Sequence, residues 1–284
     1  MASSPASTSD DDELPEELRP DPDEDPSPEP ARKPRRKVWW IAAILFLAFS
    51  SVITARMTGL FERIDTSHRI AHAVRTSVAP VIDGTLEEAV WGRAEPTAAF
   101  VRSHNGEAAP LDCRARLLWD EEALYVAFEA QDHDLLATYG QRDEALYTQD
   151  VVEVFIDADG DQKSYTELEV SPRGTLFDAL FPSYRKNLDR SKRWNLLGFK
   201  AQVALRGSLD AGADRGWTAE LRIPFASLAD TRAPKVGDRW HVNLFRIDVH
   251  DLKDPEHGDY TAWNPPLKGD FHTLDRFGTL IFKE

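Results

Sequence analysis

The chain has 284 residues, with 49 acidic against 34 basic side chains, a net charge of −15 and a single cysteine. That acidic excess repels a phosphate backbone and argues against a nucleic-acid partner, and one cysteine excludes an intrachain disulfide. The length leaves room for one large domain or two small ones.

Residues 1–30 carry eleven acids and one base, Arg19, in a Ser- and Pro-rich stretch with almost no bulky apolar side chains. Such a segment cannot bury enough surface to offset the entropy of ordering it. Residues 1–37 are therefore expected to form a disordered acidic tail, ending in the basic block Arg32, Lys33, Arg35, Arg36 and Lys37. The tail is a candidate for recruiting a cytoplasmic partner.

Residues 38–55 follow, eighteen positions without a charge. As a helix they would cover ~27 Å, close to the ~30 Å hydrocarbon core of a bilayer. Trp39 and Trp40 fall at the first turn, where indoles favour the headgroup layer. A cleaved signal peptide shares the basic flank and apolar core. The segment starts late for one, however, and Ile53 stands where cleavage after Ala55 needs a small residue. The expectation is a single transmembrane helix. Five bases precede it and only Arg56 and Arg63 closely follow, which keeps the N-terminus cytoplasmic and places the rest outside, in a periplasm or at the cell surface. Residues 56–77 read as a juxtamembrane stalk with Leu60, Phe61 and Ile64 along one side. The compact domain is expected over 78–284.

Inside that domain the hydrophobic period is two. Cys113, Ala115, Leu117 and Trp119 alternate with Arg114 and Arg116, and Leu124, Val126 and Phe128 alternate with Tyr125 and Ala127. Val152, Val154 and Ile156 form a third run, and Trp217, Ala219, Leu221 and Ile223 a fourth. Further runs occupy 165–171, 175–181, 199–205, 239–249 and 278–282, with turn sequences between them. Many short alternating strands predict an all-β, two-sheet antiparallel sandwich. Only 86–91 and 225–229 suggest short helices. Cys113 sits at an apolar position and reads as a buried small hydrophobe.

A hairpin turning on 157–163 sets Glu153 opposite Glu167, or opposite Glu169 after a small shift of register. All three acids then point away from the face of Val152, Val154, Leu168 and Val170. Like charges directly across two strands are unfavourable unless water, a ligand's hydroxyls, a cation or an arginine such as Arg246 compensates them. Asp157, Asp159 and Asp161 suggest a structural calcium, although Gln162 and Leu168 stand where an EF-hand needs Gly and Glu. The same residues are ordinary turn formers. Phosphate loops, nucleophile elbows and HExxH helices do not occur, so the reading is non-catalytic. Three aromatics fall outside the strand runs: Tyr147, Trp263 and Phe271. Rings on loops at the edge of a sandwich suit stacking on a sugar.

Five ordered segments carry a resemblance. They are Ala79-Pro-Val-Ile-Asp-Gly-Thr-Leu-Glu-Glu-Ala-Val-Trp91, Leu118-Trp-Asp-Glu-Glu-Ala-Leu-Tyr-Val126 and Tyr147-Thr-Gln-Asp-Val-Val-Glu-Val-Phe-Ile-Asp157. Gly216-Trp-Thr-Ala-Glu-Leu-Arg-Ile-Pro224 and the closing Trp263, Phe271 and Phe277-Gly-Thr-Leu280 complete them. The domain resembles the family-nine carbohydrate-binding modules. The resemblance implies a β-sandwich that usually binds calcium and holds a glycan between two aromatic rings, with Tyr147 and Phe271 at the ring positions and Glu153 as a hydrogen-bonding carboxylate. It also implies Trp at both rings, and arginine where this chain has Glu169. The function implied is glycan binding at the cell envelope, in support of carbohydrate catabolism by partner enzymes. Two other classes remain open: a haem-binding redox domain, which Met1 and Met57 cannot serve because both precede the domain, and a structural scaffold.

Overall fold

The computed structural model describes residues 68–209, 213–229 and 231–284. The acidic tail, the basic block and the apolar segment 38–55 lie outside the described residues. Among the described residues, no helix is long and apolar enough to cross a membrane.

The alternating runs become strands almost residue for residue. Cys113–Trp119 (β3), Ala123–Ala130 (β4), Val151–Asp157 (β5), Tyr165–Val170 (β6) and Leu176–Phe181 (β7) fall on them. So do Lys200–Leu205 (β8), Trp217–Pro224 (β9), Arg239–Asp248 (β10) and Gly278–Lys283 (β12). Three further strands lie outside the runs: Ile70–Arg75 (β1), Val101–Arg102 (β2) and Asp259–Ala262 (β11). Of the two expected helices, 225–229 is realised as a single 3₁₀ turn at Phe225–Ser227, whereas 86–90 are turn and irregular backbone and a 3₁₀ turn follows at Trp91–Arg93. The α-helix described, α1, is the short Leu188–Ser191, whose first turn is capped by the side chain of Asn187.

Two separate antiparallel sheets were expected, and the pairing corrects this. The strands form one continuous sheet in the order β7-β6-β5-β10-β12-β1-β3-β4-β9-β8, with β11 joining β10 to β2. The join is β1, which pairs parallel with both β12 and β3. It also carries the folded unit ahead of residue 78, into the stretch read as stalk. Its buried side chains are Ala71 and Ala73. Two alanines alternating with an exposed Ile70 and a histidine give no hydrophobic period to read.

The two halves of this sheet enclose one core. Val152, Val154, Leu168, Val242 and Leu244 from one side meet Leu117, Leu124, Val126, Phe128, Trp217 and Leu221 from the other. A second apolar layer covers the opposite face of β5, β6, β7 and β10, built from Phe155, Tyr165, Phe177, Phe181, Phe245 and Ile247. Both faces of these strands are therefore buried, which is why β5 and β6 have no exposed residue and why acids on them become consequential.

Several of the sequence segments act as clips between strands. Glu220 on β9 accepts hydrogen bonds from the amides of Asp83 and Gly84, both at 2.9 Å, and from Trp91 Nε1 at 2.6 Å. Gly84 has φ +93°, and a Cβ there would lie 2.4 Å from the carbonyl carbon of Val203, so only glycine passes. Asp120 receives the Ala123 amide and the Tyr125 hydroxyl. Asp150 receives the amides of Leu136 and Val249. Cys113 is wholly buried, and burial pushes its thiol up to about 12, as expected of a structural hydrophobe.

Candidate functional site

On the second face of β5 and β6 lies an open groove of about 860 Å³. Strand alternation puts Glu153 and Phe155 of β5 and Glu167 of β6 on its floor. Loops supply the walls: Tyr147 from the turn before β5, Arg185 and Leu188 around α1, Tyr260 from β11, and Asp270, Phe271 and His272 ahead of β12. Tyr147, Phe271 and Glu153, three residues from distant parts of the chain, thus line one cavity.

The rings are held at defined attitudes. Phe271 lies flat on Phe245, with centroids 4.1 Å apart and an interplanar angle of 10°, and meets Tyr260 edge-on. One face of Phe271 is covered by this stack, which leaves the other face and the rim for a ligand. Tyr147 contacts Phe177 edge to face. Both rings are half-buried. His272 donates to or accepts from the Tyr165 hydroxyl at 2.6 Å, and burial pushes it down to about 4, so it is a neutral ring in the wall. Arg185 is ion-paired with Asp270 at 3.1 Å, and Tyr184 donates its hydroxyl to the same carboxylate.

The floor is the unusual part. Glu153 pairs directly with Glu169, and Phe155 with Glu167; of the two registers open from sequence, the Glu153–Glu169 pairing is realised. Glu153 is 1% exposed, Glu169 0% and Glu167 5%. Oε1 of Glu153 and both oxygens of Glu169 receive no hydrogen bond. Glu167 and the Tyr147 backbone lie close enough to Glu169 to influence its charge, but without hydrogen-bond geometry. Burial raises Glu153 well above the usual carboxylate range, and Glu167 adds to the effect. Burial, then the charges of Glu153 and Glu167, raise Glu169 likewise. Burial lifts Glu167 to about 7. Desolvation disfavours a carboxylate unless something pairs with it.

Arg246 was one candidate for that pairing, and the structure places it elsewhere. It shares the parity of Val242 and Leu244 on β10, so it enters the opposite face from Glu153. There its Nη2 reaches Asp132 at 2.9 Å and Asp248 at 3.1 Å, with all three side chains at most 3% exposed. Trp263 is also corrected. It is 1% exposed and belongs to the core between the two halves of the sheet, where its ring packs against the Cα of Gly278; a Cβ there would fall 2.4 Å from it. The residues that sequence reasoning missed are Tyr260, on a strand too short to show a period, and Phe181, Arg185, Asp270 and His272. Phe181 was assigned only to a strand, and the others lie in loops without a motif.

Three groups of carboxylates could hold a cation among the described residues. Asp157, Asp159 and Asp161 bring one oxygen each within 4.8 Å of the others, as do Asp132, Asp150 and Asp248; in the third group His250 offers a ring nitrogen beside Asp134 and Asp248. The Asp157 set fits calcium in ligand type, since calcium takes carboxylate oxygens. It is also satisfied as a turn: Asp157 accepts from the Gly160 and Gln162 amides, Asp159 from Asp161, and Asp161 from Lys163. The Asp132 set already surrounds Arg246.

The fold and the groove thus define an all-β domain whose strands floor an aromatic-walled cleft, with Glu153 and Glu167 on its floor. The chain belongs to the family described as carbohydrate family 9 binding domain-like, which matches residues 82–284. Among curated proteins it is similar to endo-1,4-beta-xylanase A of Thermoanaerobacterium saccharolyticum, 26% identical over 211 residues. That match covers 71% of this chain and 15% of the xylanase, so the chain spans a minor part of the enzyme's length. Among solved structures it is similar to a family 9 carbohydrate-binding module from Caldicellulosiruptor kristjanssonii in complex with cellotriose. The TM-score is 0.55 at 19% identity, covering 76% of this chain and 94% of that one. A putative carbohydrate-binding protein from Bacteroides uniformis gives a TM-score of 0.57 at 16% identity, over 76% of this chain and all of the other. At these identities the likeness establishes the fold.

Proposed function

We propose that the domain binds a glycan without cleaving it, displayed outside the cytoplasm by a transmembrane helix at 38–55, where it holds carbohydrate for partner enzymes. The observation that supports this reading is the convergence of Tyr147, Phe271 and Glu153 on one open groove. Rings offer flat apolar area to the faces of a sugar, and buried acceptors between them reward hydroxyl donors. The relative crystallised with cellotriose shares the fold.

Cleavage would need two carboxyls in environments that set their pKa values apart, one an acid and one a base. Glu153 and Glu169 are both raised, and chiefly by the same burial, which suits binding. The calcium implied by the family belongs in this reading at the Asp157 turn. The acidic tail 1–37 is the part left to meet a cytoplasmic partner.

The test is a glycan-array screen of the full-length protein, with Tyr147→Ala and Phe271→Ala beside it. Binding that both substitutions weaken at least tenfold supports the site. Binding indifferent to both rings, or no binding at all, overturns it. Protease accessibility of the domain in intact cells checks its placement outside the cytoplasm.

A further inference from the structure

The floor of the groove offers the carboxyls of Glu153 and Glu167, with Glu169 buried beside Glu153 on the neighbouring strand. Oε1 of Glu153 and both oxygens of Glu169 receive no hydrogen bond, although the two side chains are at most 1% exposed. Among the described residues, no lysine or arginine forms a salt bridge with Glu153, Glu167 or Glu169. The cation nearest in role, Arg185, is paired with Asp270 at the groove wall, and Arg246 enters the other face of the sheet. The other ionisable lining residues are Glu256, at the rim, and the imidazoles His104 and His272. The lining therefore carries four acids against one arginine, which is paired with Asp270 and whose charge also acts on Glu167.

Acceptor oxygens buried without a donor are unfavourable until something supplies hydrogens. A sugar hydroxyl supplies one, whereas a protonated amine supplies three together with the missing charge. Resting on the carbohydrate-binding reading, we infer that the groove selects amino sugars: a pyranose held by Tyr147 and Phe271, with its ammonium directed to Glu153 and Glu167, the two acids on the floor. An acetylated amine loses the charge and two of the donors, and a uronic acid adds a further carboxyl where a donor is needed. In the empty groove burial favours the protonated carboxyls, so the ammonium is taken up with release of a proton to solvent.

Calorimetric titration of the full-length protein with three trisaccharides of equal length tests this: β-1,4-linked glucosamine, its fully N-acetylated form, and cellotriose. The inference expects the glucosamine trimer to bind at least tenfold more tightly than either of the others. Glu153→Gln, which keeps shape and removes charge, should erase that preference, bringing the glucosamine trimer to within about threefold of cellotriose on the same variant. Equal or weaker binding of the amine, with cellotriose still bound and dependent on Tyr147, overturns the inference and leaves the carbohydrate reading intact. Spermidine competing as well as the trimer also overturns it, because bare charge would then suffice. Failure of all three sugars overturns both readings.

Discussion

Glu153 and Glu169 stand directly opposite each other across the β5–β6 ladder, both essentially inaccessible to solvent, and three of their four carboxylate oxygens receive no hydrogen bond. On an exposed hairpin such a pair would be a mild repulsion relieved by water. Here the apolar layer of Phe155, Phe177 and Phe245 removes the water. The pair therefore opposes folding unless a proton or a ligand intervenes.

That cost is visible in the pH dependence of stability. Burial raises Asp150 to about 8, Glu167 to about 7 and Asp248 to about 6, and raises Glu153 and Glu169 as well. A carboxyl whose pKa is higher folded than unfolded binds more protons in the native state. Its contribution is complete below the unfolded value near 4 and is lost as pH rises through the folded one. His272, pushed down to about 4 by burial, and His72, also lowered chiefly by burial, act in the opposite sense below pH about 6.5, two groups against five. Thermal denaturation should therefore give a Tm that falls from about pH 5 to pH 8, with Glu169→Gln flattening the slope and raising Tm at the alkaline end. A Tm that rises over this range would contradict the raised carboxyls.

The clip around Glu220 makes a separate prediction about stability. Its carboxylate receives two amides and an indole N–H in a fully buried setting. Glu220→Ala leaves those donors unpaired, and the unfolding free energy should drop by about 3 kcal/mol. Gly84→Ala should be at least as damaging, since the new methyl meets the Val203 backbone at a positive φ. Urea denaturation measures both. Binding in the groove, on another part of the sheet, should be unchanged at temperatures where the variants remain folded.

The strands were legible in the sequence wherever a buried face alternates with a polar one, as in Cys113–Trp119 and Trp217–Pro224. They were not legible where the buried residues are alanines, as in β1, or where a strand spans two to four residues, as in β2 and β11. Missing β1 concealed the parallel join, and two sheets were expected where there is one. At the site, alternation sufficed for Glu153, Glu167 and Glu169, because a side chain's face on a strand follows from its parity. The same rule, applied to Arg246 against Val242 and Leu244, would have sent it to the other face. Loop residues obey no period, so Tyr147 and Phe271 stood out only as aromatics outside the strand runs, beside the misplaced Trp263, and it took family resemblance to single them out; Arg185 and Asp270 were not found.

For Arg246 the consequence is structural. It is the guanidinium among Asp132, Asp150 and Asp248, and all three acids act on its charge. Removing one partner of a buried ionic group leaves the rest uncompensated, at a cost of about 3–5 kcal/mol. Arg246→Met should accordingly lower the urea midpoint sharply, yet leave the affinity of the remaining folded protein for its ligand within about twofold. A variant of normal stability that loses binding would return Arg246 to the site.

Calcium at the Asp157 turn is checked by melting the protein with the ion and with a chelator. Asp157, 0% exposed and lifted by burial to about 6, gains most from a cation. Excess calcium should raise Tm by several degrees through mass action. Asp159→Asn together with Asp161→Asn should abolish that rise while leaving the chelated Tm almost unchanged, because the Gly160 and Gln162 amides still satisfy Asp157. An identical Tm with ion and with chelator would show that the turn is complete by itself.

The two rings should respond differently to enlargement. Phe271 lies on Phe245 with one face already covered, so Phe271→Trp extends the free face over the groove without needing a new support. Tyr147 is braced only edge-on by Phe177, and a larger indole there must find its own packing. Added stacking area of this kind contributes about 0.5–1.5 kcal/mol. Phe271→Trp should therefore strengthen sugar binding roughly threefold to tenfold, whereas Tyr147→Trp should gain less. Titrating both variants with the trisaccharide that binds best gives the comparison. A Phe271→Trp variant that binds more weakly than the native protein would mean that the free face of this ring does not meet the sugar.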